Sequence, residues 1–135
     1  VNTYEHFAMI VDYLAMWNNM LEGRRVDIFK KMDLNRYHAL DRPSRFDAFA
    51  INPTFMAICE ERDNKIRNAS HHRWFVLDKS AQVIRYRSGT GGAGSERTIS
   101  YSGYLERCVR LFLQTMTLLR LELMISNQMG TRYPV

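Results

Sequence analysis

Within Lys65-Ile66-Arg67-Asn68-Ala69-Ser70-His71-His72, an arginine, an amide and two imidazoles fall inside about two helical turns. A guanidinium grips a phosphate through a charged fork, and an imidazole moves a proton near neutral pH. The set therefore has what phosphodiester cleavage without a metal requires. RNA cleavage is the first chemistry this stretch suggests. The bland reading is a polar helix end whose histidines face the last carbonyls and the negative end of the helix dipole.

Charge concentrates around the same residues. Between Arg62 and Arg97 there are eight basic and three acidic residues, a local excess of +5, while the rest of the chain carries eleven of each sign. The whole positive excess surrounds the Arg/His stretch, which suits a polyanion; a basic hairpin facing water is the simpler alternative. Arg62, Lys65, Arg73, Arg85 and Arg87 are the candidate nucleic-acid-binding cations. On the hairpin, Arg73, Trp74, Arg85, Tyr86 and Arg87 interleave cations with aromatic rings, as a stacking surface for single-stranded bases does. Strand alternation puts Arg85 and Arg87 on one face and Ile84 and Tyr86 on the other, which a split between wet and buried faces explains equally well.

The elements that must position these groups read as mainly helical. Asn2 and Glu5 have capping-box spacing, and Phe7, Ile10, Val11, Leu14, Trp17 and Leu21 recur at helical intervals, predicting a helix from Thr3 to Glu22 that stops at Gly23. From Arg24 to Leu40 the pattern allows a short helix or a loop. Asp41-Arg42-Pro43-Ser44 reads as a loop that caps a short helix through Phe49. Asn52-Pro53 offers an N-cap and a first-turn proline for a helix running to Ser70. Residues 74–77 and 83–86 read as a small hairpin, and Thr98 to Tyr101 as a third short strand. A long apolar helix from Ser102 to Asn127 or Gly130, carrying Leu105, Val109, Phe112, Leu113, Met116, Leu119, Leu123 and Met124, is expected to pack on the first helix and on the motif helix. The expectation is one domain spanning residues 1–135: a helical bundle with a β-hairpin inserted before the long C-terminal helix. The valine at position 1 leaves room for native sequence outside it.

Several function classes recede. No apolar run approaches the about 20 residues of a membrane span, and the start lacks the basic-then-apolar order of a signal peptide. Cys59 and Cys108 form no zinc-type cluster, read as buried or idle thiols, and point weakly to a reducing cytoplasm. Scattered carboxylates give metal catalysis little support, and no cofactor is expected. Gly89-Thr90-Gly91-Gly92-Ala93-Gly94 satisfies GxGxxG, but Glu96 to Ser100 intervene before any helix, so a loop able to drape over RNA is favoured over a dinucleotide site. His6 and His38 are isolated.

Fifteen arginines and four histidines yield about one accidental Arg-x4-6-His match, so the pair alone proves little. Context adds to it: Asn68 follows Arg67, the motif closes a predicted helix, and a hairpin and a long apolar helix come next. In these residues the chain resembles the HEPN (higher eukaryotes and prokaryotes nucleotide-binding) domains, helical bundles carrying an arginine, a polar residue beside it, and a histidine at this spacing. Arg67, Asn68 and His72 fit as they stand, and the resemblance covers Pro53 to about Asn127.

The resemblance implies a metal-independent endoribonuclease whose site forms across a homodimer, acting as a toxin or antiviral effector with an antitoxin or inhibitor protein as a further partner. It assigns His72 to proton transfer, Arg67 to the phosphate charge, and Asn68 to orienting substrate or imidazole. A noncatalytic HEPN-like module that dimerises or binds RNA or a nucleotide is the alternative. Geometry adds a constraint: at about 100° per residue Asn68 and His72 share a helix face, as do Arg67 and His71, while Arg67 and His72 diverge by about 140°. His72, favoured over His71 by its spacing, must use a frayed helix end or meet the partner's arginine.

Overall fold

The computed structural model describes residues 2–128. Helix α1 (Asn2–Leu21) forms where the apolar spacing predicts it. Phe7, Val11 and Leu14 are buried, the small residues Ala8 and Ala15 let neighbouring elements approach between them, and Met9, Tyr13 and Met20 face outward. Gly23, in the left-handed region at φ 74°, ends the helix.

The ambiguous segment resolves into an isolated bridge between Ile28 and Asp33 followed by helix α2 (Leu34–His38), capped by the Asp33 carboxylate. Phe29 and Tyr37 stack at 4.3 Å and enter the core. Asp41 caps α3 (Arg42–Arg45), which tightens into a 3-10 turn over Phe46–Phe49. Asn52 caps α4 (Pro53–Ile58), its side-chain oxygen accepting from the Phe55 amide. Phe7, Phe46, Phe49, Tyr37 and Cys59 pack into one core with Leu118. Burial pushes the Cys59 thiol up to about 12, so it behaves as a small apolar group.

One helix from Pro53 to Ser70 does not form. The chain breaks after Cys59 and restarts as α5 (Asn64–His71), with the Asp63 carboxylate accepting from the Lys65 amide as the new N-cap. Glu60-Glu61-Arg62-Asp63 offers no apolar residue to continue a buried stripe. Glu61 instead turns inward: its amide donates to the Gln114 side chain at 3.1 Å, and its carboxylate accepts from Arg107 at 2.7 Å and faces Arg110 at 3.4 Å.

Beyond α5 the expected hairpin is a three-stranded antiparallel sheet, β1 (Phe75–Asp78), β2 (Val83–Tyr86) and β3 (Arg97–Ser100), in that order. Helix α6 (Tyr101–Gln128) then packs along α1, and the alternative end at Gly130 lies outside the described residues. Its orientation corrects the sequence reading. Leu111, Thr115 and Leu118 face the core, whereas Leu105, Val109, Phe112, Leu113, Met116, Leu123 and Met124 are exposed. Apolar spacing marks a helix face without saying whether the chain's own core or something else covers it. Among the described residues no helix is long and apolar enough to cross a membrane.

Glu61 is 7% exposed and faces two guanidiniums from α6, so its removal leaves Arg107 without its closest carboxylate. Glu61→Ala is expected to cost about 3 kcal/mol. Urea unfolding measures this, and a loss under about 1 kcal/mol would show that the pairing is not what fastens α5 to α6.

Candidate nucleic-acid interface

Helix α5 has a single fully buried residue among those whose side chains are described, Ala69. Polar contacts hold the rest. Tyr4 donates its hydroxyl to the Arg62 carbonyl at 2.9 Å, just before the helix. Arg67 donates to the Asn68 side-chain oxygen at 2.7 Å and pairs with Glu5, whose carboxylate also pairs with Arg42. Glu5, read from the sequence as half of a capping box, thus joins α1, α3 and α5. One carboxylate between two guanidiniums leaves a net positive charge at the site.

Arg67 lines a small cavity of about 80 Å³ with Tyr4, Asp63, Ser70, Tyr104 and Arg107, which has room for water but not for a nucleotide. Burial raises the Tyr4 phenol to about 12 against the pull of Arg67; burial and a bond with Cys108 raise Tyr104 to about 12. Both phenols therefore stay neutral around pH 7 and serve as donors, not bases. The Nε of Arg67 is buried and has no hydrogen-bond acceptor.

His72 does not line that cavity. It caps α5 in a non-helical conformation, its amide donating to the Asn68 carbonyl at 3.0 Å. His71 is therefore the last helical residue, and His72 still closes an α-helical bond from the cap position. The Trp74 amide returns to the Ala69 carbonyl at 2.8 Å and the Arg73 amide to that of Ser70 at 3.4 Å, a Schellman closure in which Arg73 takes the left-handed conformation at φ 61°. Glycine is the usual residue there because it has no Cβ to crowd the backbone. The exposed His72 ring stacks on Trp74 with 4.7 Å between centroids and a 24° tilt, with His71 edge-on at 5.0 Å.

Trp74 in turn is held by the glycine loop. A Cβ on Gly92 would lie 3.0 Å from the indole, and one on Gly94 only 2.0 Å from the Ser88 carbonyl oxygen, so the loop folds against the ring because these positions have no side chain. The GxGxxG stretch leads through a 3-10 turn into an antiparallel strand, not the helix that a dinucleotide-binding turn needs.

The sheet carries the remaining cations. Ile84 and Tyr86 are buried, while Arg85 and Arg87 point to solvent with Val76. Arg85 pairs with Asp78 at 2.6 Å, and Asp78 also accepts from the Ser80 hydroxyl and the Ala81 amide; together these bonds hold its carboxyl below the usual range. Arg87 faces Glu96 at 3.4 Å. Among the described residues Arg62, Lys65, Arg73, Lys79 and Arg97 enter no ion pair, so five of the eight cations remain available to a polyanion. Compared with family models, curated proteins and solved structures, the chain has no significant match in any of the three.

The conformation of Arg73 separates charge from backbone. Arg73→Gly is expected to raise stability by about 1 kcal/mol, by removing the left-handed strain, while weakening affinity for single-stranded RNA and lowering the salt slope by about one. Thermal unfolding and binding at two salt concentrations measure both; unchanged RNA affinity would exclude Arg73 from the interface.

Proposed function

We propose that the chain is a HEPN-like, metal-independent endoribonuclease acting as a homodimer in the cytoplasm. The observation that carries this reading is the end of α5: Arg67 and Asn68 are bonded to each other, the Arg67 Nε is buried without an acceptor, and His72 stands exposed at the helix cap one turn beyond them. In the proposed reaction His72 of one copy takes the proton of a ribose 2′-hydroxyl or delivers one to the leaving 5′ oxygen, and the second copy's imidazole fills the other role. The 2′ oxygen attacks phosphorus, the bond to the 5′ oxygen breaks, and a 2′,3′-cyclic phosphate forms. Arg67 stabilises the charge growing on the phosphate, and Asn68 holds the guanidinium in place.

His72 and Arg67 of one copy do not line a common cavity, so the site needs a second copy to bring an imidazole to a guanidinium. The outer face of α6 supports that partner. Val109, Phe112, Leu113, Met116, Leu123 and Met124 are 48–59% exposed. They offer about 600 Å² of apolar surface, close to the about 800 Å² per partner of a stable interface. Uncontrolled RNA cutting harms the cell that makes the enzyme, so a role as toxin or antiviral effector brings an antitoxin or other inhibitor as a further partner.

The pairing of Arg67 with Glu5 favours a second reading, a noncatalytic module that dimerises and binds RNA or a nucleotide, in which the arginine ties α1 to α5.

Purified protein is expected to cut single-stranded RNA, but not DNA, in the presence of EDTA, and His72→Ala to reduce the rate at least about 100-fold without changing the fold. Equal cutting by His72→Ala would remove the proposed chemistry; RNA binding without cutting in either protein would select the module. Phe112→Glu is expected to convert a dimer to monomer in sedimentation and to abolish cutting with it. A monomeric but fully active variant would show that one copy suffices.

A further inference from the structure

The exposed face of the sheet carries a groove of about 460 Å³, bordered by Trp74, Val76, Arg85, Arg87, Gly92 and Glu96. That volume accommodates a nucleobase. Its walls are built rather than incidental. Trp74 is fixed by the glycine loop on one hand and by contact with His72 on the other, and Arg85 is anchored by Asp78. Val76, 63% exposed, supplies an apolar floor directly opposite Arg85 in the strand register.

The loose members are Arg87 and Glu96. They face each other at 3.4 Å with side chains 56% and 47% exposed. An exposed pair of this kind contributes little to stability, so a ligand can replace it at small cost. Side by side, a carboxylate and a guanidinium present two acceptors followed by two donors.

Among the four RNA bases only guanine has the complementary order along its edge: the N2 and N1 donors, then the O6 and N7 acceptors. Adenine places an acceptor at N1, cytosine offers a single donor beyond two acceptors, and uracil alternates acceptor, donor, acceptor. The geometry points to a guanine-binding subsite on the sheet. Glu96 accepts from guanine N1–H and N2–H, Arg87 donates to O6 and N7, and the base lies over Val76 beside Trp74. Because Trp74 also holds the His72 ring, a guanosine seated here lies next to the proposed cutting site. The inference deepens the ribonuclease reading and rests on it for the RNA.

The test uses 2′-O-methyl RNA oligomers, which keep the RNA bases but lack the nucleophilic hydroxyl and so stay intact. Each carries one guanosine, adenosine, cytidine or inosine in a uridine background, and anisotropy reports binding to the full chain. The guanosine oligomer is expected to bind about tenfold tighter than those with adenosine, cytidine or uridine, with inosine, which lacks the N2 donor, in between. Glu96→Gln should bring guanosine down to the level of the others. Equal binding of all oligomers, or a guanosine preference that survives Glu96→Gln, overturns the subsite while leaving RNA binding in place. Binding of none overturns the nucleic-acid reading and the subsite together. A guanosine preference without any cutting of ordinary RNA upholds the subsite and sinks only the catalysis.

Discussion

The buried carboxylate of Glu61 is the constraint from which the placement of the motif follows. It interrupts what would have been one helix from Pro53, meets Arg107 and Arg110 of α6, and so fixes where α5 begins. A helix of eight residues with one fully buried described side chain has no hydrophobic face large enough to orient itself. Its direction comes from charge and capping: Glu61 and Asp63 before it, Glu5 along it, and the Schellman closure at its end. Such contacts are directional and short in range, so they aim a guanidinium and an imidazole more sharply than apolar packing does.

Much of the fold was legible because local chemistry dictated it. Asn52 caps the helix it was read as capping, the spacing of Phe7, Val11 and Leu14 marks the buried face of α1, and alternation divides Arg85 and Arg87 from Ile84 and Tyr86. The misreadings have different causes, and one is dependence on residues far away in sequence. The break before α5 depends on Arg107 and Gln114, roughly fifty positions downstream. The outward face of α6 obeys the same periodicity as an inward one. The left-handed Arg73 was hidden because the usual marker of that closure is glycine.

The candidate site was legible in composition but not in its pairing. Spacing alone singled out Arg67, Asn68 and His72 as candidates; helical geometry asked for a frayed end or a partner's arginine, and the end of α5 is capped rather than frayed. The pairings of Glu5 with Arg67 and of Glu96 with Arg87 were not foreseen. The first glutamate was assigned to a cap, and the second follows a glycine-rich loop whose folding against Trp74 no local signal announces. A cation counted in a sequence is free; in the fold Arg67, Arg85 and Arg87 have found carboxylates, and the cations left unpaired decide what the surface attracts.

Tyr4 and Glu5 are neighbours in the first turns of α1, and between them they grip α5 at two points, the Arg62 carbonyl and the Arg67 guanidinium. Helix ends open far more often than whole domains unfold. Unwinding that first turn lets go of Arg67 and also withdraws the buried Tyr4 ring from the edge of the core. The fraction of time the arginine spends unclaimed is therefore governed by a local equilibrium, one that a neighbouring macromolecule could bias by clasping or prising a single helical turn.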